Sequence, residues 1–376
     1  MLTDDEWASV LPKFELHTHL EGTVRPEDSI AMAKRNGIDL PFESVDDMRA
    51  AQDYGEPALQ NFLAYHYAVF SAIRRVEDVE LIARRYVERC AENNIRHVEV
   101  HVCLQDYVDH GIDLDELLDT LHESALSATR MGVDVAYIYG INRSLSVASA
   151  IAVLKVIDRH PGSVVGVGSC SEETGHPPVM FAEFFAAARD RGLRLTAHCD
   201  CDQLNSVEHI RQCVQEIGVE RIDHGVNILD APESLLTEAR DRNIHFTVVP
   251  TWRPSDPGPR RIERLIDMHD RGLSVSVNTD DPEEFASGHL SKLIAGLLND
   301  GRITRERMIA IMRDTVRASW ASVQVKEDAL AELQVVEDAS ARATLWCRDI
   351  AAPRRRRPTC AASRAPQPLE SWACAY

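Results

Sequence analysis

Short apolar runs rich in Val and Ile recur eight times along the chain, at 14–20, 96–103, 133–140, 164–169, 193–199, 220–224, 244–249 and 273–279. Each is short enough for a buried strand and is bounded by turn-forming or polar residues. Stretches with apolar residues at helical spacing lie between them, as in 115–131, 146–159, 179–190, 206–217, 232–241 and 260–271. Strands that alternate with helices pair in parallel through right-handed crossovers. Eight such units predict an α/β fold that closes as a (β/α)8 TIM barrel. An open doubly wound sheet would want a Gly-rich phosphate turn after its first strand. Here that strand ends in His17-Thr18-His19-Leu20-Glu21-Gly22, which cradles no phosphate.

The first crossover, from 25 to 95, is much longer than the others and carries helical spacing over 58–73 and 76–93. It predicts a helical insertion near the barrel mouth, acting as a lid or simply packing there. Two or three extra helices follow Asn299 and end near Arg348, so residues 1–350 read as one domain. The tail 351–376 differs: it holds Arg354-Arg355-Arg356-Arg357, three later prolines and no periodicity, and reads as a disordered basic segment.

With 376 residues, 44% of them hydrophobic, the chain can bury one large core. A formal charge of −19 argues against nucleic acid and against an anionic membrane surface as partners. The acidic start Met1-Leu2-Thr3-Asp4-Asp5-Glu6 carries no signal-like apolar stretch, and the nine scattered cysteines read as reduced thiols. No run approaches the ~18 apolar residues of a membrane span. A cytoplasmic protein is expected; its oligomeric state is not legible.

The chemistry sits at the strand ends. Residues i and i+2 of a strand share a face, so His17 and His19 aim two imidazoles to one side. His198 ends the fifth run and Asp280 follows the eighth. Three imidazoles and a carboxylate suit one Zn²⁺ per chain with a position left for water; Fe²⁺, Mn²⁺ and Co²⁺ accept the same set. An ion held this way lowers the pKa of its water towards ~7 and supplies hydroxide. His224, ending the sixth run, can take the water's proton or orient it. Asp281 is placed to contact a substrate, or to cap a helix beginning at Pro282.

Four stretches together resemble the adenosine/adenine deaminase family of the amidohydrolase superfamily. They are Leu11–Thr23 with its His17-Thr18-His19, Ser171-Glu172-Glu173-Thr174-Gly175-His176-Pro177-Pro178, Arg221–Val226, and Val277-Asn278-Thr279-Asp280-Asp281-Pro282. The Gly-His-Pro-Pro resembles the adenine-type branch. The resemblance implies a zinc barrel with His17, His19, His198 and Asp280 as ligands, His224 activating water, and Asp281 on the purine ring. By the same carry-over Glu21, Gly22 and Ser171 line the substrate pocket, and the partner is a small heterocycle.

Two departures stand out. After its third metal histidine the family shows His-Ala-Gly-Glu, whose glutamate protonates the ring; here the order is His198-Cys199-Asp200-Cys201, so Cys201 occupies the glutamate's place. General acid catalysis is worth ~10²–10⁴-fold. Asp200 or Asp202 replaces it, or the substrate needs no such proton, or the chain is a catalytically silent binding or regulatory homologue. Second, the turn after the seventh strand carries Trp252 and Arg253. An indole offers a stacking face and a guanidinium pairs with an anionic substituent. The expectation is a zinc-dependent, deaminase-like hydrolase that attacks a C–N bond of a purine-like substrate through metal-bound hydroxide, with an altered proton donor.

Overall fold

The chain passes in order through β1 Lys13–His19, β2 Ile95–Val102, β3 Asp134–Asn142, β4 Gly166–Cys170, β5 Arg194–Cys199, β6 Arg221–His224, β7 His245–Val248 and β8 Ser274–Val277. Neighbours in sequence are neighbours in the sheet, and every pair is parallel. In this computed structural model residues 2–55, 58–199, 204–250, 260–285 and 288–351 are described. The circle closes where Thr18 bridges Asp280. His19 N–H donates to the Asp280 carbonyl at 2.9 Å and Asp280 N–H to the His17 carbonyl at 3.1 Å. The architecture is a (β/α)8 barrel, and each strand falls on one of the eight apolar runs.

Most crossover helices also stand where the spacing puts them, among them Leu114–Ala128, Val147–Ile157, Glu233–Asp241 and Arg260–Asp270. Two differ in detail. The segment expected at 179–190 opens as a 3₁₀ turn, Pro178–Phe181, and becomes α-helical over Ala182–Asp190. Ser206–Arg211 runs on as a π-helical turn, Gln212–Ile217. The insertion after β1 holds four helices, Pro26–Asn36, Val45–Ala50, Ala58–Phe70 and Val76–Glu92. After Asn299 come Arg305–Ala318 and Val323–Ala351. One compact unit spans Met1–Glu337; of the tail that begins at 351, only Ala351 is described. No described helix is long and apolar enough to cross a membrane.

Barrel interiors are usually filled by branched aliphatic side chains. This one carries polar groups along its axis. On β2, alternation turns His97, Glu99 and His101 to one face, and all three are fully buried. At the N-terminal end Glu99 pairs with Arg221 of β6 at 2.6 Å and with His97 at 3.0 Å. The Arg221 guanidinium stacks 4.1 Å from the Trp320 ring. Burial opposes charge on Glu99, but Arg221 and His97 outweigh it and hold its pKa down to about 2. Above this layer, the His101 ring fits because Gly168 has no side chain: a Cβ there would lie 3.0 Å from His101 Cε1.

Candidate metal centre and pocket

At the C-terminal ends of the strands the backbone is bent sharply. His224, Asp280 and Ser171 all have positive φ, at 62°, 62° and 72°. Such conformations are costly for non-glycine residues and collect where the fold must aim side chains. The result is convergence. His198 Nε2 lies 3.0 Å from His17 Nε2 and 3.1 Å from His19 Nε2, while Asp280 Oδ1 lies 3.1 and 3.3 Å from the same two atoms. Ligand atoms ~2.0–2.2 Å from one ion stand about 3.0–3.5 Å apart. Three imidazole nitrogens and a carboxylate oxygen facing one point at these separations fit a divalent cation. His17, His198, His224 and Asp280 also each offer a ligand atom within 4.8 Å of the others. His224 Nε2 approaches the other oxygen, Asp280 Oδ2, at 3.7 Å.

The far sides of two imidazoles are held. His17 Nδ1 faces the Thr247 carbonyl at 3.3 Å and the Thr247 hydroxyl at 3.1 Å. His198 Nδ1 lies 3.2 Å from Asp223 Oδ2, and Thr247 Oγ1 donates to Asp223 Oδ1 at 2.8 Å. Anchoring the distal nitrogen this way fixes ring orientation, as metal-binding histidines require. Burial disfavours charge on His17, yet the Asp280 and Asp223 carboxylates outweigh it and lift its pKa to about 9. Burial dominates at His198 and His224, pushing them to about 3 and about 4. The His224 imidazole is thus neutral near pH 7.

A pocket opens over this cluster. One wall is the inserted helix Ala58–Phe70, whose Leu59, Phe62, Leu63, His66 and Tyr67 follow a single helical stripe into it. Phe285, Cys103, Asp106, Arg143, Cys170, Ser171 and Arg261 complete the lining with Asp281 and the centre itself. The Arg143 guanidinium clasps the strand ends: it donates to the carbonyls of Cys170 at 3.0 Å, Ser171 at 2.9 Å and His198 at 3.2 Å. Tyr67 Oη and Ser171 Oγ are 2.8 Å apart. Burial, then the Asp280 and Glu284 carboxylates, pushes the Asp281 pKa well above the usual range. Its Oδ1 is buried without a hydrogen-bond partner among the described residues. The next described helix begins at Leu290, so among the described residues Asp281 caps none.

The five metal-site and base residues expected at strand ends (His17, His19, His198, His224 and Asp280) come together, and Asp281 and Ser171 line the pocket. Glu21 and Gly22 stand in the 3₁₀ turn after β1, outside the lining; Glu21 Oε1 accepts from Cys103 N–H at 3.2 Å. Asp200, Cys201, Trp252 and Arg253 lie outside the described residues. Cys199 is buried, its Sγ 3.6 Å from that of Cys213. Sequence reasoning missed Asp223, His101, His66 and Asp106. The alternation His97, Glu99, His101 on one strand and Arg221, Asp223 on another carried the pattern, which reads equally as a solvated face until the sheet closes. Nothing in the helical stripe of 58–70 told that His66 faces a pocket.

The adenosine deaminase family profile matches residues 12–336. The chain is 32% identical over 335 residues to an uncharacterized deaminase of Schizosaccharomyces pombe, covering 88% of this chain and 98% of that one. It is 32% identical over 342 residues to an adenine deaminase of Rhodospirillum rubrum, covering 89% of this chain and 100% of the relative. Among solved structures it is similar to an adenine deaminase from Arthrobacter aurescens, with a TM-score of 0.80, 28% identity and 86% and 98% of the two chains covered.

Proposed function

Given that the chain belongs to the adenosine deaminase family, we propose that it is a zinc-dependent aminohydrolase that releases ammonia or an amine from a purine-like heterocycle in the cytoplasm. The observation that carries this reading is the convergence of His17, His19 and His198 Nε2 with Asp280 Oδ1 at 3.0–3.3 Å beneath a pocket with an apolar wall. A similar amidohydrolase structure from Burkholderia ambifaria has bound Zn (TM-score 0.81, 26% identity, 91% and 96% of the two chains covered) and supports the choice of ion. When bound, the ion lowers the pKa of a coordinated water towards ~7 and so provides a nucleophile at neutral pH. Fe²⁺, Mn²⁺ and Co²⁺ accept the same donors.

The chain's own residues do the rest. His224, kept neutral by burial, accepts the water's proton and orients the attack. Asp281, kept protonated, presents a hydrogen-bond donor to a ring nitrogen. Leu59, Phe62, Leu63 and Phe285 cover the ring faces and exclude water. Glu21 and Gly22 buttress this arrangement from behind, Gly22 directly against the Asp281 carboxyl. For Trp252 and Arg253, which follow β7 in the sequence, the proposed roles are stacking on the heterocycle and pairing with an anionic substituent.

By the resemblance, Cys201 takes the place of the family's ring-protonating glutamate, and on this reading the proton comes from Asp200 or Asp202 or the substrate is one that needs none. The same replacement favours a second reading, a catalytically silent binding or regulatory homologue. Assays of the metal-loaded protein against adenine, adenosine, N6-alkylated purines and anionic aminated heterocycles separate the two. Ammonia or amine release that disappears in His224→Ala supports the enzyme. Full metal occupancy with no turnover on any of them supports the silent homologue.

A further inference from the structure

Beside the ligand set, two thiols meet on the pocket wall. Cys103 follows β2 and Cys170 ends β4, yet their Sγ atoms are 3.0 Å apart. β3 runs between those strands. It permits the contact because residue 140 is glycine: a Cβ there would lie 3.2 Å from Cys170 Sγ and 3.6 Å from Cys103 Sγ. Both cysteines are free thiols and both line the pocket. They are 9% and 4% exposed.

We propose that Cys103 and Cys170 form an oxidation site, closed to a disulfide by a small peroxide that enters through the substrate pocket. The Cys103 sulfur attacks one peroxide oxygen and the O–O bond breaks, leaving Cys103 sulfenic acid and one water. The Cys170 sulfur then displaces the hydroxyl from that sulfur, forming the S–S bond and releasing a second water. One peroxide is reduced, two thiols are oxidised, and both thiol protons leave in water. Closing the contact to a bonded pair takes about 1 Å of movement.

The backbones at both ends are tied to the pocket. Cys103 N–H donates to Glu21, the Cys170 carbonyl accepts from Arg143, and Ser171 follows Cys170 at a φ of 72°. Shifting either sulfur therefore displaces residues around the substrate. The contact with Cys170 and burial keep the Cys103 thiol protonated, so the reaction is slow beside that of an activated cysteine. Cys90, Cys199 and Cys213 are buried away from the pocket lining and serve as internal controls.

The test is peptide mapping of the metal-loaded protein after graded hydrogen peroxide, with and without later dithiothreitol. A cross-linked pair of peptides holding Cys103 and Cys170, two hydrogens lighter than their sum and separated again by dithiothreitol, is expected in most chains. Cys170→Ser should lose the cross-link and leave a dimedone-trapped sulfenic acid on Cys103. Cys103→Ala gives a second variant without the cross-link should the first fail to fold. Sulfinic acid on Cys103 without a cross-link, or untouched Cys103 while Cys90 or Cys199 oxidises, overturns the proposal. A fall in turnover on cross-linking rests on the proposed pocket; the cross-link itself does not, so the two readings fail separately.

Discussion

Gly22 packs its Cα directly against the Asp281 carboxyl: a Cβ at residue 22 would lie 1.9 Å from Asp281 Oδ1 and 2.6 Å from its Cβ. Any side chain at 22 therefore pushes Asp281 out of the position from which it faces the pocket. The Glu283 N–H also donates to the Gly22 carbonyl at 3.1 Å, so the two turns are bound together and cannot simply slide apart. Gly22→Ala is expected to cost about 1–3 kcal/mol through overpacking. Turnover should fall as far as it does in Asp281→Ala. Pairing Gly22→Ala with Asp281→Gly should restore part of the melting temperature and none of the activity. Additive losses in the double variant would show that the two residues do not press on one another.

Asp223 steadies two proposed ligands at once, His198 directly and His17 through Thr247. Asp223→Ala should retain the fold by circular dichroism and weaken metal affinity about 10–100-fold. Competition with a chromophoric chelator measures it. An unchanged affinity would move the centre away from His17 and His198.

His66 introduces a charge from the inserted helix. Its Nδ1 is 3.0 Å from Glu284 Oε2 and 3.8 Å from Asp281 Oδ1. Burial opposes its charge, but the Glu284 carboxylate, by its charge and by its hydrogen bond, outweighs burial and lifts its pKa to about 10. The folded value exceeds the unfolded value of about 6.5. The contribution to stability is therefore full below about pH 6.5 and lost as pH rises through about 10. In urea denaturation, His66→Gln should be less stable than the parent by its widest margin near pH 6, with the gap closing towards about pH 10. A gap that widens with pH would mean that His66 is neutral in the folded protein.

The strands were legible because each is a short apolar run between turn residues. The ligands were legible because His17 and His19 are two apart on one of them, with His198 and Asp280 at the ends of others. The polar interior was not read. On an isolated strand, alternating His97, Glu99 and His101 have the pattern of a solvated face, and only closure of the sheet turns that face inward. Barrel closure also decides which crossover residues reach the centre. His66 shares a helical stripe with Phe62 and Leu63, a pattern that ordinary core packing would produce equally well. Cys103 and Cys170 meet across Gly140 of the intervening β3, a relationship carried by register and a missing side chain.

Cys201 offers the sharpest test of the proposed purine-like substrate. If the residues around Asp281 and His224 still seat an adenine ring, only the proton donor is out of place, and returning a carboxylic acid to that position should restore it. Cys201→Glu is then expected to raise adenine deamination by about 10²–10⁴-fold, the usual worth of a positioned general acid. The gain should appear in kcat with little change in KM, because a proton delivered in the transition state does not hold the ground state. Steady-state ammonia release from the metal-loaded variant measures both constants. A variant that binds its ion fully and gains nothing on adenine would place the difference beyond that one group.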